Sequence, residues 1–270
     1  MIMRYFVVAV WLFFSSFSHA LADEFGSGMV AYQNKEYKKA ASQWLLAAKK
    51  GHALAQANLA LMYDNGLGVQ KDAKEAAKWY ILAAKQGHAI AQSNLGFLYQ
   101  NGQGVTQDIN EAINWYTLAA QQGVAAAQYN LGLLYGSGQG VMQDYKQAMN
   151  WYRLAAEQEH PLAQSNLGFM YEKGQGVPQN SKEAMMWYRL AAEKNNALAQ
   201  YNIGVMYASG QSTTPDYMHA YVWFNLSATN GYAPAAALRE ATLAQLSTEQ
   251  IDKAQNISRE CLHSAYKNCD

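Results

Sequence analysis

Apolar and polar residues follow a helical rhythm along this chain, and the rhythm itself repeats. Between 89 and 100, apolar residues fall at Ala91, Leu95, Leu98 and Tyr99, the spacing of one helix face. Gly96 lies inside that stripe. A mid-helix glycine costs about 1 kcal/mol, so it predicts close approach by a neighbouring helix. Asn101-Gly102-Gln103-Gly104-Val105 then reads as a turn. A second stripe follows at Ala112, Trp115, Tyr116, Ala119 and Ala120, and Gly123 ends it in a left-handed cap. Asp108, with Glu111 three residues on, predicts a capping box at its start.

This helix pair recurs at a fixed step. Trp79-Tyr80, Trp115-Tyr116, Trp151-Tyr152, Trp187-Tyr188 and Trp223-Phe224 stand 36 residues apart with no insertion. Ala-x-x-Gln-x-x-Leu-Gly, or a close variant of it, keeps the same step through Gln56, Gln92, Gln128, Gln164 and Gln200. Further capping boxes are expected at Asp72/Glu75, Asp144/Gln147 and Asn180/Glu183. The two-glycine turn recurs at Gly66/Gly68, Gly138/Gly140 and Gly174/Gly176. Paired alanines recur at Ala83-Ala84, Ala155-Ala156 and Ala191-Ala192, where they admit a close neighbour while the tryptophan fills the space above. Glu159 stands where other units carry Gly51, Gly87, Gly123 and Gly231, so strain is expected at that cap. Such a period predicts an all-α fold, a right-handed superhelical solenoid of antiparallel helix pairs.

These residues resemble the Sel-one-like repeat family, longer-loop relatives of tetratricopeptide repeats. The carriers are Ala-x-x-x-Leu-Gly-x-x-Tyr, Gly-x-Gly-Val, Asp-x-x-x-Ala and Trp-Tyr-x-x-Ala-Ala, over five units from 53 to 232. Residues 23–52 depart from the pattern: the turn at Asn34 to Tyr37 is short, and the aromatic pair becomes Trp44-Leu45. That segment reads as an N-terminal capping repeat of the tetratricopeptide kind. Residues 233–270 read as C-terminal capping helices: a further first helix from Ala233 to Leu246, then one opened by the Ser247/Gln250 capping box. The resemblance implies adaptor and scaffold proteins, whose secreted bacterial members are linked to envelope processes, signalling and host interaction.

The ends and the charge narrow the setting. Arg4, the apolar run Tyr5 to Phe14 and Ala20-Leu21-Ala22 make a secretory signal, with cleavage expected after Ala22. No later stretch is apolar enough to span a bilayer, which needs about 20 residues. The mature chain is therefore expected in the periplasm or outside the cell, as a monomer without membrane insertion. Loss of Arg4 shifts a balance of 20 Lys and Arg against 20 Asp and Glu to −1, without the basic clustering that nucleic acid requires. Cys261 and Cys269 are candidates for a disulfide in that compartment; free thiols or a bond to another chain are the alternatives. One unbroken helix would hold their Cα atoms about 12 Å apart, beyond the roughly 7 Å limit of a disulfide. Pairing therefore requires a turn back after Cys261, near Asn268.

Candidate chemistry points to binding. Asn58, Asn94, Asn130, Asn166 and Asn202 form a ladder on the first helices, which line the concave groove in tetratricopeptide repeats. A carboxamide there can hold a peptide backbone through its donor and acceptor, or it can tie its own helix to the preceding unit. Tyr129 and Tyr201, with Phe97 and Phe169 one turn along the neighbouring first helices, are candidate aromatic anchors; Phe97 and Phe169 could equally be inter-helix packing. A protein or peptide partner bound without catalysis is the resulting expectation. No cofactor is expected, and no metal: His52, His88 and His160 lie a unit or more apart. Cysteine-rich relatives linked to penicillin binding and weak β-lactamase activity offer an alternative, and a secreted adhesion or invasion factor another. Ser264-Ala265-Tyr266-Lys267 matches Ser-x-x-Lys, but no Ser-Asp-Asn or Lys-Thr-Gly accompanies it.

Overall fold

The computed structural model describes residues 24–211, 214–264, 266, 267 and 269. The signal and its cleavage point after Ala22 lie outside them. All regular structure among the described residues is helical, in fourteen helices. The chain divides into two compact units, Met1–Ala127 and Gln128–Asp270. The first unit holds α1 (24–33), α2 (Tyr37–Lys49), α3 (Ala53–Asn65), α4 (Ala73–Lys85), α5 (Ala89–Asn101) and α6 (Ile109–Gln121). The boundary falls within α7 (Ala125–Ser137). The second unit continues with α8 (Tyr145–Glu157), α9 (Pro161–Lys173), α10 (Ser181–Glu193), α11 (Ala197–Ser209), α12 (Tyr217–Thr229), α13 (Pro234–Leu243) and α14 (Thr248–His263). Consecutive helices pack on one another from α2 to α6 in the first unit and from α8 to α13 in the second, where α14 packs back on α12.

The close approach predicted at the mid-helix glycines is real, and a tyrosine ring makes it. A Cβ on Gly96 would lie 2.7 Å from the Tyr116 ring, and one on Gly168 2.7 Å from the Tyr188 ring. Of each Trp-Tyr pair, the second residue goes to the core: Tyr80, Tyr116, Tyr152, Tyr188 and Phe224 are all buried. This corrects the expectation for the tryptophans. Trp79 and Trp223 are buried, but Trp115, Trp151 and Trp187 are half-exposed. In these repeats the glycine faces the tyrosine ring, so the neighbouring tryptophan lies at the edge of the contact, whereas in the first helix pair Gly28 faces the buried Trp44 ring itself.

The turns are equally specific. Gly66 and Gly102 cap α3 and α5 in the left-handed conformation. The second glycine of each turn meets the start of the preceding second helix. A Cβ on Gly104 would stand 2.0 Å from the Ala73 carbonyl oxygen, and one on Gly176 2.7 Å from that of Tyr145. The capping boxes are half formed. Asp72, Asp108, Asp144 and Asn180 each accept from the N–H groups two and three residues on. Their own backbone N–H groups, however, donate to the carbonyls of Tyr63, Tyr99, Tyr135 and Tyr171. The first helix thus takes the donor that Glu75, Glu111, Gln147 or Glu183 would have accepted. Only the Ser247/Gln250 box is complete among the described helices.

A buried glutamine ties three helices together in each repeat. Gln56 Nε2 donates to the Ala48 carbonyl at the end of α2, and its Oε1 accepts from Gln86 Nε2 at the end of α4. Gln92 repeats this with Ala84 and Gln122. In the second unit Gln158 donates to Gln128, and Gln200 joins Ala192 to Asn230. One rung is incomplete. Gln164 donates to Ala156, but its buried Oε1 has no partner. Lys194 stands where Gln86, Gln122 and Gln158 donate, and it pairs instead with Glu159 at 2.6 Å. That ion pair holds the Glu159 carboxyl below its usual pKa, through the hydrogen bond from Lys194 and its charge. Glu159 does adopt a left-handed conformation, with φ 60°, and so does Asn195, with φ 63°.

At the far end, α13 stops at Leu243, short of the expected Leu246. Cys261 and Cys269 form a disulfide with Cα atoms 4.7 Å apart. The chain turns back through Ser264 and Tyr266, the latter at φ 67°, ahead of Asn268, which lies outside the described residues. The turn carries Tyr266 Oη to the Gln200 rung, where it accepts from Asn230 and donates to the neighbouring Asn195 Oδ1.

Two stability outcomes follow from these contacts. Gly87 and Gly104 both have positive φ, but a Cβ on Gly87 meets nothing within 4 Å. Gly87→Ala should cost about 1–2 kcal/mol of left-handed strain, and Gly104→Ala clearly more, measured by urea unfolding. Lys194→Gln should raise stability by about 1 kcal/mol. It satisfies a buried acceptor worth about 1–3 kcal/mol and gives up only an exposed, solvent-screened ion pair. A lower melting temperature in Lys194→Gln would contradict the glutamine rung.

Candidate binding surface

The asparagine ladder sits at the seam between repeats. Asn94 Nδ2 donates to Tyr80 Oη at 3.1 Å, from a first helix to the preceding second helix. Asn166 stands between the hydroxyls of Tyr129 and Tyr152, and Asn202 hydrogen-bonds Tyr188. Asn58, where no tyrosine precedes it, reaches Met29 Sδ at 3.8 Å. These side chains are half-buried. Burial pushes the pKa of the Tyr80, Tyr152 and Tyr188 hydroxyls well up, so they stay protonated and able to donate. The asparagines therefore already have a packing role. That leaves Asn166 and its neighbours able to present only what remains of their hydrogen-bonding capacity.

The aromatic candidates separate into two groups. Tyr129 and Tyr201 are held by ring contacts. Tyr129 stacks on His160 with centroids 4.8 Å apart and lies against Tyr152. Tyr201 packs on Phe224 and Tyr232. Phe97 and Phe169 are exposed, at 47% and 41%. They belong to a pattern that periodicity for the core had hidden. In the first unit Leu54 and Leu61 on α3, and Ile90 and Phe97 on α5, are exposed seven residues apart. In the second unit Leu162 and Phe169 on α9 repeat the spacing. Seven residues is two helical turns, so each pair lies on one face, with Asn58, Asn94 or Asn166 between its members. Five second helices also expose a leucine, Leu46, Leu82 and Leu118 in the first unit and Leu154 and Leu190 in the second, whereas Leu226 at the same position of the last repeat is buried.

The histidines prove to be caps, a role the sequence reading missed. His52, His88 and His160 each accept through Nδ1 the backbone N–H three residues on, at Ala55, Ala91 and Ala163. Asn196 does the same for Ala199. The signal was available, since Asn196 shares their repeat position and asparagine is a common N-cap. Among the described residues no group of three His, Cys, Asp or Glu could hold a metal ion. Nor is any described helix long and apolar enough to cross a membrane. In the Ser-x-x-Lys tetrad, Ser264 Oγ donates to the Cys261 carbonyl, and Ala265 lies outside the described residues.

Stacked helix pairs, glycine-slotted tyrosines and exposed first-helix stripes define a helical repeat protein. The Sel1 repeat model matches residues 53–88, 89–124, 125–160, 161–196 and 197–232, and the chain belongs to that family. A Sel1 repeat protein from Oxalobacter formigenes is similar at 36% identity and TM-score 0.71, covering 77% of this chain and 85% of that one. The c5321 protein, a protective antigen present in uropathogenic Escherichia coli strains and displaying an SLR fold, is similar at 31% identity and TM-score 0.77. That match covers 89% of this chain and 54% of c5321. No curated protein sequence matches the chain. Sel1 repeats form scaffolds of the kind that mediate protein–protein interaction.

The histidine caps make stability depend on pH. Burial holds the His88 and His160 pKa values below the ordinary imidazole value. The unfolded chain therefore takes up protons first. Their contribution is complete above about pH 6.5 and is lost as pH falls below it toward the lower folded values. Protonation removes the Nδ1 acceptor and puts positive charge at a helix N-terminus. From about pH 7.5 to about pH 5, each cap should lose about 0.5–2 kcal/mol. Thermal melts of the native chain and of a His88→Asn, His160→Asn variant should diverge at the acid end, the variant falling less. Parallel curves would rule out the caps as the titrating groups.

Proposed function

We propose that the chain is a non-catalytic scaffold in the bacterial envelope, binding a protein or peptide along the exposed face of its first helices. The observation that carries this reading is the exposed apolar pair flanking an asparagine on several first helices: Leu54/Asn58/Leu61 on α3 and Ile90/Asn94/Phe97 on α5 in the first unit, and Leu162/Asn166/Phe169 on α9 in the second. Apolar anchors around a polar group are the composition of a peptide-reading groove. The neutral charge balance supports contact through hydrogen bonds and apolar side chains. The leader-like residues 1–22 support export. The likeness to c5321, a protective antigen, supports a place reachable from outside the cytoplasm.

The asparagines are poor test positions, because Asn94→Ala or Asn166→Ala would also break the seam. The exposed residues are better. Crosslinking capture from envelope extract should yield a partner with the native chain and lose it in Leu162→Asp, Phe169→Asp. Capture should persist in Leu154→Asp, Leu190→Asp, which places the same charges on second helices. Melting temperatures should change little in either, since surface substitutions usually stay within about 0.5 kcal/mol. N-terminal sequencing of the recovered protein should begin at Asp23. Loss of the partner only in the second-helix variant would move the site to that face, and an intact leader would remove the envelope from the reading.

A further inference from the structure

In two repeats the buried tyrosine of the second helix donates to one position in the last turn of the preceding first helix, and in a third a carboxylate at that position acts on it by charge. Tyr116 Oη donates to Gln100 Oε1 at 2.8 Å. Tyr188 Oη donates to Glu172 Oε2 at 2.8 Å. Asp64 holds the position facing Tyr80, and its charge acts on that hydroxyl. In the last repeat the tyrosine becomes Phe224, which has no hydroxyl, and the position becomes Ala208, which has no acceptor. One repeat breaks the rule. Tyr152 keeps its hydroxyl, and the position opposite is Gly136.

The missing side chain leaves space of the right kind. A Cβ on Gly136 would lie 3.6 Å from Ala148 Cβ and 3.9 Å from Tyr152 Oη, so a side chain fits there and points at the hydroxyl. Gly136 has no positive φ and sits within α7, so no backbone conformation demands glycine. The space is a pocket of about 270 Å³ whose walls include Ser137, Tyr152, Asn166 and the exposed Leu133 and Phe169.

Its charge selects among acceptors. The Glu172 carboxylate is paired with Lys173 at 2.6 Å, but the residue matching Lys173 here is Ser137, and no charged side chain lines the pocket. An unpaired carboxylate would lose its hydration without compensation. A primary carboxamide brings the same carbonyl acceptor without charge, as Gln100 does in the repeat before.

We propose that the pocket at Gly136 receives the side-chain carboxamide of a glutamine from a bound peptide or protein, its oxygen accepting from Tyr152 Oη. The glutamine replaces in trans what Gln100 supplies in cis, and Leu133 and Phe169 contact its stem. For its biological occupant the proposal rests on the peptide-binding reading above.

The test has an arm that does not need that reading. N-acetyl-glutamine amide is titrated into the full chain, with N-acetyl-glutamate amide and N-acetyl-norleucine amide as comparators, and amide shifts are followed by NMR. Saturable shifts in the millimolar range centred on Gly136, Ser137 and the Asn166 side chain are expected for the glutamine probe. Tyr152→Phe should weaken its binding about threefold to tenfold, the worth of one hydrogen bond, while leaving the norleucine probe unchanged. No shifts at these residues, equal binding of all three probes, or tighter binding of the glutamate probe would overturn the proposal.

A folding arm checks the geometry. Gly136→Gln should melt higher than Gly136→Ala in the native background, and the gain should vanish in the Tyr152→Phe background. An equal gain in both would show packing of the glutamine stem without the hydrogen bond, since alanine is the better helix former, and would overturn the assignment. With a captured partner in hand, Gly136→Gln should fill the pocket and reduce capture. If capture survives Gly136→Gln but fails in Leu162→Asp, Phe169→Asp, the pocket is overturned and the binding face stands. If the glutamine probe binds and no partner is captured, the pocket stands and the scaffold reading fails.

Discussion

The buried glutamine of the first helix is the constraint on which the rest of each unit depends. Gln56 and Gln92 are nearly inaccessible to solvent, and a buried carboxamide must satisfy both its donor and its acceptor. It does so only if two other helices end at fixed places. The donor needs the Ala48 or Ala84 carbonyl at the end of the preceding second helix, one of the orphan groups every helix terminus leaves. The acceptor needs Gln86 or Gln122 at the end of its own second helix. Apolar contact alone would tolerate sliding between such similar helices. A shared hydrogen-bond rung does not, so register is set by polar groups inside an alanine-rich core.

Spacing follows from that register. With the helix ends fixed, the second helix must approach the first closely, and the glycine slot with its tyrosine ring absorbs the approach. The turn glycine does the same at the loop, lying against the Ala73 or Tyr145 carbonyl. The borrowed N–H bonds of Asp108 and Asn180 to Tyr99 and Tyr171 join the end of one helix to the start of the next. Each contact is backbone-close, which explains why the repeat length carries no insertion.

Much of this was legible in the sequence. The step of 36 residues announced the helix pairs, and the mid-helix glycine announced a close neighbour. Which ring filled the slot was not legible, because Trp115 and Tyr116 sit side by side and periodicity cannot choose between adjacent residues. The capping boxes were read from a local motif whose second half was lost to a tertiary bond, the Tyr99 carbonyl reaching Asp108. Gln92 was visible as a repeated letter, but its role required knowing that Ala84 and Gln122 converge on it. His88 was weighed as a possible ligand, and only the fold showed its Nδ1 turned to the Ala91 N–H.

The candidate surface was legible in a weaker sense. A repeated residue is ambiguous, because stacking and binding both ask for one side chain per unit. Asn94 illustrates this, since its hydrogen bond to Tyr80 accounts for its recurrence without any ligand. The informative positions are those where the repeat departs from itself while the surrounding contacts stay constant. Lys194 breaks a rung and leaves Gln164 Oε1 unpaired, a structural departure with its own ion pair as compensation. Gly136 breaks the tyrosine rule: it offers no acceptor at that position, and Asn166 is the neighbour that remains beside the Tyr152 hydroxyl. The Ala208–Phe224 pair shows that acceptor and hydroxyl can be lost together. A hydroxyl retained without its acceptor, beside exposed Leu133 and Phe169, is therefore the departure that points outward to a partner.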